Sequence, residues 1–230
     1  MMFDPIYLLF AAPGLLLSLW ASYRVRTAFD HYSTVGTMRG FSGAEAARHL
    51  LDEAGLTDVE IVETDGYLSD HYDPVSRHLA LSRDVFHGRS VASVGVATHE
   101  AGHALQHAHG YAPLWLRSAL VPAAGIGSSI GYIVMGVGLF LHPLVVVLGA
   151  AIFSIVLLFQ VVTLPVEFDA SARAKRLVVE SGIIQQGERE GIDQVLNAAA
   201  LTYVAAAISS LSVLLYYLFR AGLLNGARDD

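Results

Sequence analysis

The sequence predicts a mainly α-helical membrane protein, a bundle of four transmembrane helices carrying a small cytoplasmic α+β insert. Three observations lead there. Of 230 residues, 54% are hydrophobic and only 15% charged, against about 25% charged in ordinary soluble domains. Three blocks, Pro5 to Tyr23, Ser118 to Val166 and Gln194 to Phe219, carry no charge, and a helix crossing the hydrocarbon layer needs about 20 such residues. The middle block is long enough for two crossings, with His142-Pro143 as the natural turn. The expected spans are therefore about 5–23, 119–140, 144–164 and 196–219, with polar parts at 24–117 and 165–193, all in one domain covering 1–230. A soluble bundle of unusually apolar helices is the alternative.

Charge sets the orientation. The formal net charge of -7 offers no basic surface for nucleic acid. Arg24 and Arg26 follow the first span, Arg117 precedes the second, and Arg173, Lys175 and Arg176 follow the third, while Arg220 and Arg228 stand alone on the far side. The positive-inside rule then places both polar parts in the cytoplasm and both termini outside. Met1-Met2-Phe3-Asp4 lacks the basic start of a signal peptide, so the first span is read as a retained anchor. There is no cysteine, so a metal site must use His, Asp or Glu.

In chain order, Thr27 to Arg39 reads as a turn-rich connector. Ser42-Gly43-Ala44-Glu45 is a capping box: the Ser42 hydroxyl can accept an unpaired amide of the first helical turn while Glu45 reaches back to the cap's own amide. Ala46, Ala47, Leu50 and Leu51 give this short helix its apolar face, and Gly55 ends it. Val59-Glu60-Ile61-Val62 alternates as a strand does, and His78-Leu79-Ala80-Leu81-Ser82 is a second candidate across a polar turn from Thr64 to Arg77. Leu79 to Ser82 is the expected sheet edge, where an extended peptide could add by backbone pairing. Within the turn, Asp70-His71-Tyr72-Asp73-Pro74 is dense in groups able to bind metal or stabilise charge, though Asp and Pro are also ordinary turn formers. Ser90 opens the next helix, which runs to about His109 before Gly110 and Pro113, and Arg117 marks the membrane entry. Gly125, Gly127, Gly131, Gly136, Gly138 and Gly149 predict close packing of spans two and three rather than a channel.

The helix from Ser90 holds His99-Glu100-Ala101-Gly102-His103. At helical spacing both imidazoles project from one face and can hold one zinc ion, with Glu100 beside it. A carboxylate so placed can take a proton from zinc-bound water, whose pKa the metal lowers towards about 7. Catalytic zinc usually has three protein ligands. The third span ends at Thr163-Leu164-Pro165, and Glu167-Phe168-Asp169-Ala170-Ser171-Ala172-Arg173-Ala174 starts a helix just beyond, on the same expected side as the histidines. Glu167 is therefore the expected third ligand, and the plainer alternative is an acid at a helix N-terminus. His109 offers a competing set, as in metzincins, but that pattern needs a glycine three residues after the second histidine, where this chain has Gln106. A continuing helix carries His109 about 9 Å along the axis from His103 and some 240° round it. His107 shares the face one turn higher and suits an outer role.

The capped helix from Gly40 to Gly55, Leu68-Ser69-Asp70-His71-Tyr72-Asp73-Pro74, Ser90 to Gln106 and Leu164 to Ala174 together resemble the YugP-type membrane zinc metallopeptidases, with spans bracketing them in the family's order. The chain also resembles the HtpX and CAAX-protease membrane gluzincins, which carry a ligand Glu in a Glu-x-x-Ala-Asp pattern on a later helix. Glu167 falls on that glutamate and Ala170 on the alanine; Ser171 replaces the aspartate, whose support of the site Asp169 would have to supply. The resemblance implies a gluzincin-like metallopeptidase insert with one catalytic Zn2+ on His99, His103 and Glu167. It implies a bacterial plasma-membrane endopeptidase with its site facing the cytoplasm. The expected catalytic set is Glu100 as general base with His71 and Arg173. Expected partners are protein or peptide substrates, membrane proteins among them, and the lipid bilayer; an accessory membrane partner is left open. An inactive protein with structural zinc, serving as a scaffold, is the alternative, and Glu100 argues against it because a structural site needs no base. A transporter would need polar groups inside the spans, where the chain offers almost nothing except His142.

Overall fold

The computed structural model describes residues 4–224, so Met1-Met2-Phe3 of the start without basic residues and Arg228 of the far-side charges lie outside the described residues. In order the elements are α1 (Pro5–Ser33), α2 (Gly43–Glu53), β1 (Glu60–Thr64), β2 (His71–Asp73), β3 (His78–Ser82), α3 (Arg83–Phe86), α4 (Val91–Ala108), α5 (Ala112–Leu141), α6 (Pro143–Glu180) and α7 (Arg189–Arg220). Among the described residues four helices are long and apolar enough to cross a membrane.

The chain divides into two compact units. One holds the residues up to Trp20, Trp115–Leu164 and the residues from Thr202 on. Its core gathers Met135, Val146, Phe153, Tyr216 and Tyr217. Glycines let its helices approach closely: a Cβ on Gly131 would lie 2.8 Å from the Phe153 amide nitrogen, and one on Gly149 only 2.5 Å from that of Met135. At one end Asp4 accepts a hydrogen bond from the Tyr216 hydroxyl (2.8 Å) and pairs with Arg220 (3.4 Å).

The other unit comprises Ala21–Leu114 and Pro165–Leu201. It is built around α4, buried at every position from Val91 to Gln106 but Val96. On one side Ala97, Ala101 and Ala104 pack with Leu51 of α2, Leu79 and Leu81 of β3 and Phe29 of α1. On another, Val91 and Val94 meet Leu50 of α2, Ala174 and Val178 of α6, and Ile192 and Leu196 of α7. Burying each leucine or valine contributes about 1.5–3 kcal/mol, so a helix surrounded this way is the most constrained part of the unit. The Ser42–Glu45 capping box forms at α2 with both reciprocal bonds, and Arg48 ties the end of that helix to the chain entering β1 through the carbonyls of Leu56 (2.8 Å) and Val59 (2.7 Å).

Three expectations are corrected. The stretch from Thr27 is not a connector until after Ser33, because α1 continues through it; extending an existing helix costs little, and Ala28, Phe29 and Tyr32 gain core contacts by doing so. No separate helix starts beyond Pro165, since α6 runs through it as one helix. A helix-interior proline costs about 3 kcal/mol, which burial of Val166, Ala170, Ala174 and Val178 beyond it outweighs at about 25 cal/mol per Å². Finally, Leu79 to Ser82 is not a sheet edge. The strand order is β1-β3-β2, with β3 parallel to β1 and antiparallel to β2. Leu79, Ala80, Leu81 and Ser82 are all buried, and a strand covered on both faces belongs in the middle. The short β2 forms inside the expected turn and carries the chain over from β1 to β3.

Candidate metal centre

Local sequence places the first residues of the site. Ser90 caps α4 by accepting the Ser93 amide (3.1 Å), and the uninterrupted helix puts His99 and His103 one turn apart, ring centroids 4.8 Å from each other. Gly102 then decides what can approach. A Cβ there would lie 2.8 Å from the Ala170 carbonyl oxygen, so only glycine allows the α6 backbone to press against α4 at this level. With Ala170 seated on Gly102, its neighbours Glu167 and Ser171 flank the two imidazoles.

Glu167 Oε2 lies 3.2 Å from His99 Nε2 and 3.5 Å from His103 Nε2, and the carboxylate is 2% exposed. One ligand atom from each residue falls within 4.8 Å of the others. Two ligands on one tetrahedral zinc, with bonds of about 2.0–2.1 Å, stand roughly 3.3 Å apart, so these separations fit. The remaining ring nitrogens are engaged on the other side. Ser171 Oγ lies 3.1 Å from His99 Nδ1, and Gln106 Oε1 lies 3.0 Å from His103 Nδ1. Both Nε2 atoms thus converge with an acid oxygen in a buried place, a donor set of two imidazoles and one carboxylate that suits zinc. Burial alone would push the His103 pKa down; its hydrogen bond to Glu167 and the charges of Glu100 and Glu167 outweigh this and hold it above the usual histidine value.

Glu100 is buried on the same helix. Asp70 sits close enough to feel its charge: burial pushes the Asp70 carboxyl up, hydrogen bonds from Ser82 oppose the rise, and Glu100 adds to it. The Ser82 amide (2.8 Å) and hydroxyl (3.1 Å) hold Asp70 at the start of β2.

The other expected residues fall elsewhere. His71 is exposed, its Nδ1 2.9 Å from the Ser69 carbonyl and its ring near His78. Strand alternation puts it on the face of β2 opposite Tyr72, and it is Tyr72 that meets α4, its hydroxyl 2.9 Å from His107 Nδ1. Arg173 donates from Nε to Asp169 (2.6 Å) and stands over the Tyr111 ring, and its link to His103 runs through Asp169 and Gln106. His109 caps the end of α4 with Nδ1 2.7 Å from the Leu105 carbonyl and is not among the three converging residues.

Two residues carry more than sequence reading assigned them. Gln106, noted above only for not being glycine, is fully buried against His103, and its position one helical turn after that histidine was the available signal. Ser171, read as a lost aspartate, itself contacts His99, while Asp169 serves His103 by way of Gln106.

The chain matches, over residues 7–222, the family model described as "Putative neutral zinc metallopeptidase". It is 45% identical over 226 residues, 98% of each chain, to a protein of Bacillus subtilis (strain 168) named "Putative membrane protease YugP". No solved structure matches it.

Proposed function

Since this chain belongs to the family of neutral zinc metallopeptidases, we propose that it is an integral membrane zinc endopeptidase with His99, His103 and Glu167 as metal ligands and Glu100 as general base. The observation that carries this reading is the buried convergence of two histidine Nε2 atoms and one glutamate oxygen. Zinc bound there would polarise a water and the scissile carbonyl. Glu100 would be the group to take a proton from the attacking water and to return it to the departing amide nitrogen. β2 pairs with β3 on one edge, and its Tyr72 side chain meets His107 of α4. An extended substrate pairing along the other edge of β2 would gain backbone hydrogen bonds with little side-chain selectivity. His71 stands on that strand's exposed side, and Arg173 contributes through Asp169. This chemistry suits processing or quality control of membrane proteins.

The proposal includes orientation. Parts 24–117 and 165–193 face the cytoplasm of a bacterial cell membrane, and 1–230 acts as one domain. Reporter fusions after Gly66 and Gly187 should read cytoplasmic and one after Asp230 extracytoplasmic; the opposite pattern would reverse the topology.

Metal dependence supplies the direct test, and pH gives it a sign. Chelation should abolish proteolysis and zinc restore it. A raised His103 pKa means that the metal-free protein holds a proton there at pH values where an ordinary histidine, near about 6.5, has lost it. That proton stabilises the metal-free fold fully below the unfolded pKa and ceases to do so as pH rises through the folded value. Zinc must displace it, so metal affinity and activity should fall together in mild acid. Thermal unfolding with and without zinc, followed from roughly pH 5 to 8, should show a zinc-induced stabilisation that grows with pH. A stabilisation independent of pH would count against these ligands.

A further inference from the structure

We infer that Gln106 is a positioning residue that commits His103 to the one tautomer able to bind metal, and that Asp169 and Arg173 hold Gln106 in the orientation that does so. The inference rests on the zinc reading and goes beyond it, to how this chain prepares one ligand.

A glutamine side chain has a donor end and an acceptor end, and here the surroundings decide which faces where. Gln106 Nε2 lies 2.7 Å from the Val166 carbonyl oxygen and 2.8 Å from Asp169 Oδ2. Both are acceptors, and the Arg173 guanidinium, 2.6 Å from the same Asp169 oxygen, favours the ionised carboxylate. Turning the amide over would set an oxygen against two acceptors at a fully buried position, with two hydrogen bonds lost and nothing to replace them. The amide oxygen therefore faces His103 Nδ1 at 3.0 Å, and an amide oxygen can only accept. Nδ1 must carry a hydrogen, so Nε2, 3.5 Å from Glu167, is the nitrogen whose lone pair a metal would take once its own proton has left. His99 is treated differently. Its Nδ1 meets the Ser171 hydroxyl, which can donate or accept and so imposes no tautomer. The site thus has one ligand set in advance through a chain from α6 and one free to adjust.

The same logic explains why an amide, rather than a carboxylate, suits position 106. A carboxylate there would also accept from His103, but its second oxygen would face Asp169 and the Val166 carbonyl. The residue at 169 should therefore have opposite effects depending on the residue at 106.

The test uses the full-length protein in detergent micelles. It reads Zn2+ affinity by chelator competition, the visible spectrum of the Co2+-loaded form, and proteolysis. Gln106→Leu removes both ends of the amide and should weaken Zn2+ binding about 10–100-fold, the range for partners that orient a metal-binding histidine, with an altered Co2+ spectrum. Asp169→Asn alone should weaken binding, because the amide can then turn over. Added to Gln106→Glu, Asp169→Asn should instead recover most of the affinity that the Gln106→Glu change loses, because it presents a donor to the new carboxylate. Should Gln106→Leu fail to fold, this reversal of sign carries the test, since loss of packing alone would act the same way in both backgrounds. Wild-type affinity in Gln106→Leu, or an Asp169→Asn effect of one sign in both backgrounds, overturns the inference. If the unaltered protein binds neither metal, or His103→Ala binds as well as wild type, the zinc reading itself fails.

Discussion

Replacing Glu100 by glutamine should leave zinc bound while proteolysis falls about 100-fold or more, the contribution usual for a positioned general base. The substitution keeps size and hydrogen-bonding reach and removes only the ability to take a proton. The three converging ligand atoms belong to other residues, so metal content, followed by chelator competition, should hardly change. The separation of the two readouts is the informative part. Lost activity with zinc retained assigns proton transfer to Glu100. Wild-type turnover in Glu100→Gln would end the peptidase mechanism and favour the inactive protein with structural zinc.

Glu167→Ala and His109→Ala should differ sharply. Removing Glu167 takes away an acid oxygen that meets both histidine Nε2 atoms. Affinity should fall by more than the ~10–100-fold typical of outer partners, and activity with it. The loss has a second source: two imidazoles buried about one acid would face each other without it. His109→Ala removes a ring whose Nδ1 caps the Leu105 carbonyl at the end of α4, so zinc binding and turnover should stay close to wild type. The reverse ranking would move the site to the metzincin arrangement and leave Glu167 as a structural acid.

What could be read from the sequence was local. The capping box at Ser42, the start of α4 at Ser90, the turn at His142-Pro143 and the four apolar helices were all legible, because each depends on residues within a few positions of one another. The His99–His103 pair was legible for the same reason, since helical spacing alone sets two side chains on one face. Glu167 was reachable from further off because the count of zinc ligands left one to find.

Tertiary structure decided the rest, and in each case the determining contact lies far along the chain. The strand Leu79 to Ser82 became central because β1, from Glu60, pairs parallel with it and β2 closes its other side; neither pairing has a local signature. His71 was separated from Tyr72 by the pleat of a three-residue strand formed inside an expected turn. The backbone of α6 reached α4 because Gly102 has no Cβ to obstruct Ala170, which brings Glu167 to His99 across 68 positions and Asp169 to Gln106 across 63. Helical periodicity could say which residues share a face of α4. Only the packing of α6 against that face could say what they meet, because a hydrogen bond in a buried site is chosen by whichever donor or acceptor the opposing backbone carries into range.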